Sequence, residues 1–150
     1  MNKNLLVIVL SAIIAMSYSC ASSKGTTTVS NGMSLTDYKY IVFGNEDNGD
    51  AELADILMMV QNELSDKLIV LSPVNAQFML NQRKKILTPR ISIKSEKWNG
   101  GHTYISISFY DYETNRNVAV VKSSGIGYSI SHDQQLAFSA IKKELNKVFK

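Results

Sequence analysis

Ser139-Ala140-Ile141-Lys142 sets a lysine amine one helical turn from a serine hydroxyl, a spacing that can activate serine for acyl transfer. That chemistry also needs Ser-Asp-Asn and Lys-Thr-Gly segments around a cleft, and the chain contains neither, so the pair reads as coincidence. His102 and His132 lie far apart, one beside a Gly-Gly turn and the other at a helix start, where zinc asks for several ligands at short local spacing. They read as structural or solvated. Asp111, Glu113, Asn115 and Asn117 alternate like a calcium loop, but Arg116 stands where the sharp-turn glycine is required and Lys122 where the last carboxylate should be. Turn formation and helix capping account for them, and for Asn45, Asp47 and Asp50. Gly125-Ile126-Gly127 lacks the third glycine of a dinucleotide fingerprint, Ile130 taking its place, and reads as a bend or strand bulge. No cofactor or metal set can be assembled, and the expectation is a protein that is not an enzyme.

Contact chemistry is the better candidate. Arg90, Lys94, Tyr104 and Tyr110 fall on the polar alternates of two strands, where aromatic and cationic groups can meet a partner protein or a glycan, or simply face solvent. Met59 interrupts the polar face of a helix, and an apolar patch around it would favour a protein partner. Arg83, Lys84 and Lys85, with Lys143, Lys147 and Lys150, supply bases that suit lipid headgroups or an acidic partner, or simply form solvated faces, the commoner use of such residues. The formal charge is only +3, with acids and bases interspersed, so nucleic acid is not an expected partner.

The address comes from the first twenty residues. Lys3 precedes an apolar run from Leu5 to Met16, too short to span a bilayer, and small residues lead into Cys20, the single cysteine of the chain. Residues 1–19 therefore read as an export signal. An unpaired thiol in an oxidising compartment is a liability unless it is used.

Elements then follow in order. Residues 20–34 hold few apolar side chains and read as an anchored cysteine followed by a flexible tether, leaving 35–150 as a single α/β domain. Tyr38–Phe43 reads as a strand, 51–67 as a helix with Leu53, Leu57, Val60 and Leu64 on its apolar stripe, and Leu68–Leu71 as a buried strand. Such a βαβ unit makes its two strands parallel. A short helix within 74–85 precedes strands at 89–95, 102–111 and 117–124, an antiparallel meander turning at Asn99-Gly100-Gly101 and 112–116. The last helix runs from His132 to Phe149, its stripe Phe138, Ile141, Leu145 and Val148, with Ser131 and Gln134 at capping-box spacing. The fold class is α+β: two layers, a mixed sheet with both long helices on one face and the other face open.

Two resemblances add to this reading. Ser17-Tyr18-Ser19-Cys20 resembles the lipobox of bacterial, Bacteroidetes-like lipoproteins through Ser19 and Cys20, while Ser17 and Tyr18 depart from it. The resemblance implies a diacylglycerol and palmitate anchor on Cys20, and Ala21 in place of Asp, with no acidic cluster after it, implies the periplasmic side of the outer membrane. Ser17-x-Ser19 also fits an ordinary export cleavage, which would release a soluble protein. The element order, with Asp111 and Glu113 at a hairpin bend, Gly125-x-Gly127 and a closing helix carrying Ala137 and Ala140, is similar to the α/β domain of the curli-secretion lipoprotein, the lipoprotein activators of penicillin-binding proteins and the amino-terminal domain of TolB. That resemblance implies a non-catalytic domain that binds another envelope protein. Binding of peptidoglycan, another glycan or a small ligand on the open sheet face is the alternative.

Overall fold

The structure, a computed structural model, describes residues 21–44, 51–98 and 101–150. The leader, Cys20, the cluster Asn45, Asp47 and Asp50, and the turn residues Asn99 and Gly100 lie outside the described residues. Ten elements follow in order: β1 (Ser22–Val29), a single 3-10 turn (Leu35–Asp37), β2 (Tyr40–Ile41), α1 (Ala51–Ser65), β3 (Ile69–Val70), α2 (Pro73–Asn81), β4 (Ile86–Ser95), β5 (Thr103–Asp111), β6 (Asn117–Ile126) and α3 (Ile130–Val148). The strands form one mixed sheet in the order β1-β6-β5-β4-β2-β3.

The α+β class expected from the sequence is what forms. β2 pairs in parallel with β3 (Tyr40 opposite Ile69) and with β4 (Tyr40 opposite Ile86), while β4, β5 and β6 make the antiparallel meander. Strict alternation in the meander buries Ile91, Ile93, Ile105, Ile107 and Phe109 on one face, against Leu53, Ile56, Val60 and Leu64 of α1 and Ala137, Ile141 and Leu145 of α3. Near the end of β5 the register slips, so that Phe109 faces Ala119 while Tyr110 faces Asn117. Val118 is the extra residue of a bulge, and both it and Ala119 enter the core.

Four expectations need correction. Residues 20–34 are not a flexible tether throughout: Ser22–Val29 pairs along its whole length with β6, Ser22 opposite Ile126 and Val29 opposite Ala119. A β6 edge left open by the meander accepts a strand whatever its hydropathy, since the ladder is made by backbone groups. Thr26-Thr27-Thr28-Val29 also has the β-branched content a strand favours. Leu68–Leu71 is not a buried strand, because only Ile69 and Val70 pair, at the sheet edge, and their side chains are 57% and 47% exposed. Leu68 and Leu71 on either side supply the burial. The open face is not open everywhere, because α2 covers the β2, β3 and β4 end of it, closing a second small core of Val42, Leu71, Ala76 and Ile86. Finally, the last helix is capped by Ser129, whose hydroxyl accepts from the His132 amide at 3.3 Å, and not by Ser131.

α3 lies unusually close to the β1 and β6 backbones. A Cβ on Gly125 would sit 2.5 Å from the Ala137 nitrogen, and one on Gly25 would sit 2.6 Å from the Glu144 Cγ. Only glycine admits the helix at that distance. The contact is then fixed by hydrogen bonds, Ser123 Oγ donating to the Ala137 carbonyl (2.8 Å) and Thr27 Oγ1 to Glu144 Oε2 (2.9 Å). Gly125→Ala should therefore destabilise the fold by about 1–3 kcal/mol, the usual cost of overpacking against a rigid neighbour. Gly44→Ala, where nothing lies within 4 Å, should leave it unchanged or slightly firmer. Thermal unfolding of the two variants checks the contrast, and equal behaviour would contradict the close seating of α3.

Candidate functional site

The outward alternates of the four long strands form the candidate surface. Those of β4 are Thr88, Arg90, Ser92 and Lys94, and those of β5 are Tyr104, Ser106, Ser108 and Tyr110. β6 adds Val120, Lys122, Ser124 and Ile126, and β1 adds Ser22, Lys24, Thr26 and Thr28. Among the described residues the paired positions of this face carry four cations, and Glu96, which continues the β4 alternation, is taken up by His102.

Register places the charges. Lys94 lies opposite Tyr104, Tyr104 opposite Ser124 and Ser124 opposite Lys24, one row across the sheet. Lys122 sits in the next row between Ser106 and Thr26. Arg90 leans diagonally over Tyr110, its guanidinium carbon 4.5 Å from the ring centroid, a cation-π contact worth about 0.5–1 kcal/mol at an exposed site. Tyr104, 44% exposed, stacks on His102 with centroids 5.6 Å apart. Lys24, Lys94 and Lys122 pair with no carboxylate among the described residues. Between β1, β6 and β5 the surface dips into a shallow depression of about 230 Å³ lined by Lys24, Thr26, Tyr104, Lys122 and Ser124. Such a hollow can hold an anionic group between two amines, with hydroxyls and a ring edge around it.

The structure thus brings Arg90, Lys94, Tyr104 and Tyr110 onto one face and leaves Met59 apart, on α1 in the layer behind the sheet. Met58 and Met59 are 57% and 42% exposed there. The sequence alone does not mark Lys24 or Lys122 as contact residues, the first because its segment reads as a tether, the second because it stands at a calcium-loop position. Their signal was the alternation of β6 and the threonine run of β1. Arg83, Lys84 and Lys85 line a second hollow of about 480 Å³ with Lys39, Tyr40 and Asp37. Lys85 Nζ holds Asp37 at 2.7 Å, leaving the other bases to set the sign of its field.

Three acids elsewhere are engaged in structure. Glu63, nearly buried, accepts from Lys142 (2.8 Å) and Lys67 (3.0 Å), tying α1 to α3; burial pushes its carboxyl up, but these two lysines outweigh it and hold it below the ordinary range. Asp111 accepts from the amide and hydroxyl of Thr114, both at 2.8 Å, and from Tyr38 Oη at 3.0 Å. Its pKa is likewise lowered against the opposing effect of burial, while Tyr38 is pushed up to about 12 by burial first and then by that carboxylate. Asp111 is a hairpin clasp, as capping chemistry predicts. Glu144 is held low by Lys147 at 2.5 Å, which together with Thr27 outweighs burial.

Among the described residues no group of three His, Cys, Asp or Glu converges as a metal site, and no helix is long and apolar enough to cross a membrane.

No protein-family model matches the chain, and no curated protein matches it. Among solved structures it is similar to the PelC dodecamer from Paraburkholderia phytofirmans: 16% identity, a TM-score of 0.52, with 83% of this chain and 98% of that one covered. A second crystal form, of a single-substitution PelC variant, gives the same figures. At that identity the likeness speaks for the fold alone.

Glu63, Asp111 and Glu144 all have folded-state values below their unfolded ones, so their contribution is present above the ordinary carboxylate pKa of about 4 and is lost as pH falls through the folded values. The melting temperature should hold between neutrality and about pH 5, then drop steeply toward pH 3. Glu63→Gln should lower it at neutral pH and flatten that acid limb; a melting series across pH reads both.

Proposed function

We propose that the protein is an envelope lipoprotein, held by acyl chains on Cys20 in the periplasmic leaflet of the outer membrane, whose domain binds an acidic surface of another envelope protein and performs no catalysis. One observation carries the binding part: Lys24, Arg90, Lys94 and Lys122 share an open sheet face with Tyr104 and Tyr110, and the carboxylate at its rim, Glu96, is already held by His102. An unbalanced face of this kind steers an oppositely charged partner and sets its register, and tyrosine and arginine are the side chains that concentrate at contact surfaces. The anchor rests on the leader and on Cys20 as the single cysteine of the chain. The PelC likeness adds the fold and no more.

A second reading has its own support. The depression between Lys24, Tyr104 and Lys122 is bordered by Thr26 and Ser124, and amines, hydroxyls and a ring suit an anionic glycan. The two readings separate on capture. After crosslinking in the native envelope, wild-type protein should bring down one stoichiometric protein partner, and Lys24→Glu with Lys122→Glu should lose it while melting as the wild type does. Capture should also weaken as salt rises, because the attraction is between exposed charges. Retention on peptidoglycan fragments, lost in the same double variant, would move the conclusion to the glycan. Capture indifferent to both substitutions would remove the sheet face from consideration.

A further inference from the structure

Three chain segments meet at one end of the sheet. β1 begins there, Ser22 lying opposite Ile126, and β6 ends there, two residues before Tyr128. The β4–β5 connection, bearing Trp98 and His102, closes the same end, since Ser95 is opposite Thr103 and Thr103 opposite Gly125. Trp98 is 58% exposed and Tyr128 79%, and Tyr104 stacks on His102 just behind. Lys94 and Lys24 occupy the same row as Tyr104. The acid at this rim, Glu96, is engaged by the amide and Nδ1 of His102 at 3.0 and 3.2 Å.

We infer that this end of the sheet seats directly on the bilayer, with the strands standing up from it; the inference rests on the reading that Cys20 carries the lipid. Ala21 alone separates Cys20 from β1, so an acylated Cys20 stands roughly 7 Å from Ser22 at full extension. A domain held that closely cannot swing away, and the end that carries the anchor must meet the headgroups. The side chains there suit that layer: tryptophan and tyrosine settle at the membrane-water interface, and lysines a row behind are drawn to anionic headgroups.

Trp98 is the single tryptophan of the chain and reports on its own position. The full acylated protein is reconstituted into vesicles of phosphatidylethanolamine and phosphatidylglycerol, with and without nitroxide-labelled lipid, and its intact mass is measured on the same sample. Trp98 emission should shift to the blue and be lost to the lipid-borne quencher. In Trp98→Phe with Glu113→Trp, the reporter moves to the β5–β6 turn, about 30 Å away along the strands, and should stay unquenched. Acylated protein whose Trp98 emits as in water overturns the seating and leaves the anchor intact. A blue shift without lipid quenching overturns it in favour of a second copy covering the ring. A mass showing unmodified Cys20 overturns both the anchor and the seating.

Discussion

The ladder between β1 and β6 is the constraint on which the rest depends. Without it, β6 would be an edge strand, Gly25 and Thr27 would not meet Glu144, and the outer face would lose Lys24. The hydrophobic effect contributes little to holding β1, whose side chains are mostly exposed. What holds it is backbone pairing, plus the seating of α3 across its inner side. β4 and β5 are the reverse, since their inward isoleucines stabilise the sheet by burial.

Charge is distributed unevenly between the two layers. Acids are drawn inward or to the helix side, where lysines hold Glu63 and Glu144 and where Thr114 and Tyr38 hold Asp111. Bases remain on the outer face without carboxylate partners. A formal charge of +3 is thus a poor guide to the field at the surface, because Glu63, Asp111 and Glu144 are held in structural contacts and the bases of one face are not.

Much of the sheet was legible because its physics is local. Ile91, Ile93, Ile105 and Ile107 alternate with polar residues, and a period of two can be read without knowing the neighbours. The βαβ unit followed from length and right-handed crossover rules, and the observed parallel pairing of Tyr40 with Ile69 agrees. The candidate face was half legible: Arg90, Lys94, Tyr104 and Tyr110 lie on those same alternates. Lys24 was not, since a strand made of serine, threonine, glycine and lysine earns its place only from a partner distant in sequence. The burial of Glu63 was hidden for the same reason, its second lysine coming from α3. Met59 is exposed as expected, yet on the wrong layer to join the others, a separation that sequence spacing alone does not encode.

Orientation follows once the short link is taken seriously. On the proposed anchoring, with acyl chains at the foot of β1, the strands would carry the sheet upward from the bilayer and its charged face would look sideways. The far end then presents Lys39, Arg83, Lys84 and Lys85, bases gathered where β2 and β4 begin. A leash of a dozen flexible residues would have let the domain sample every orientation and blurred these two surfaces into one. A strand in its place keeps them apart, one cationic surface on the sheet face and the other at its far end. Directional presentation, set by the backbone pairing of a strand with almost no apolar content, is what this chain gains by spending those residues on a strand and not on a tether.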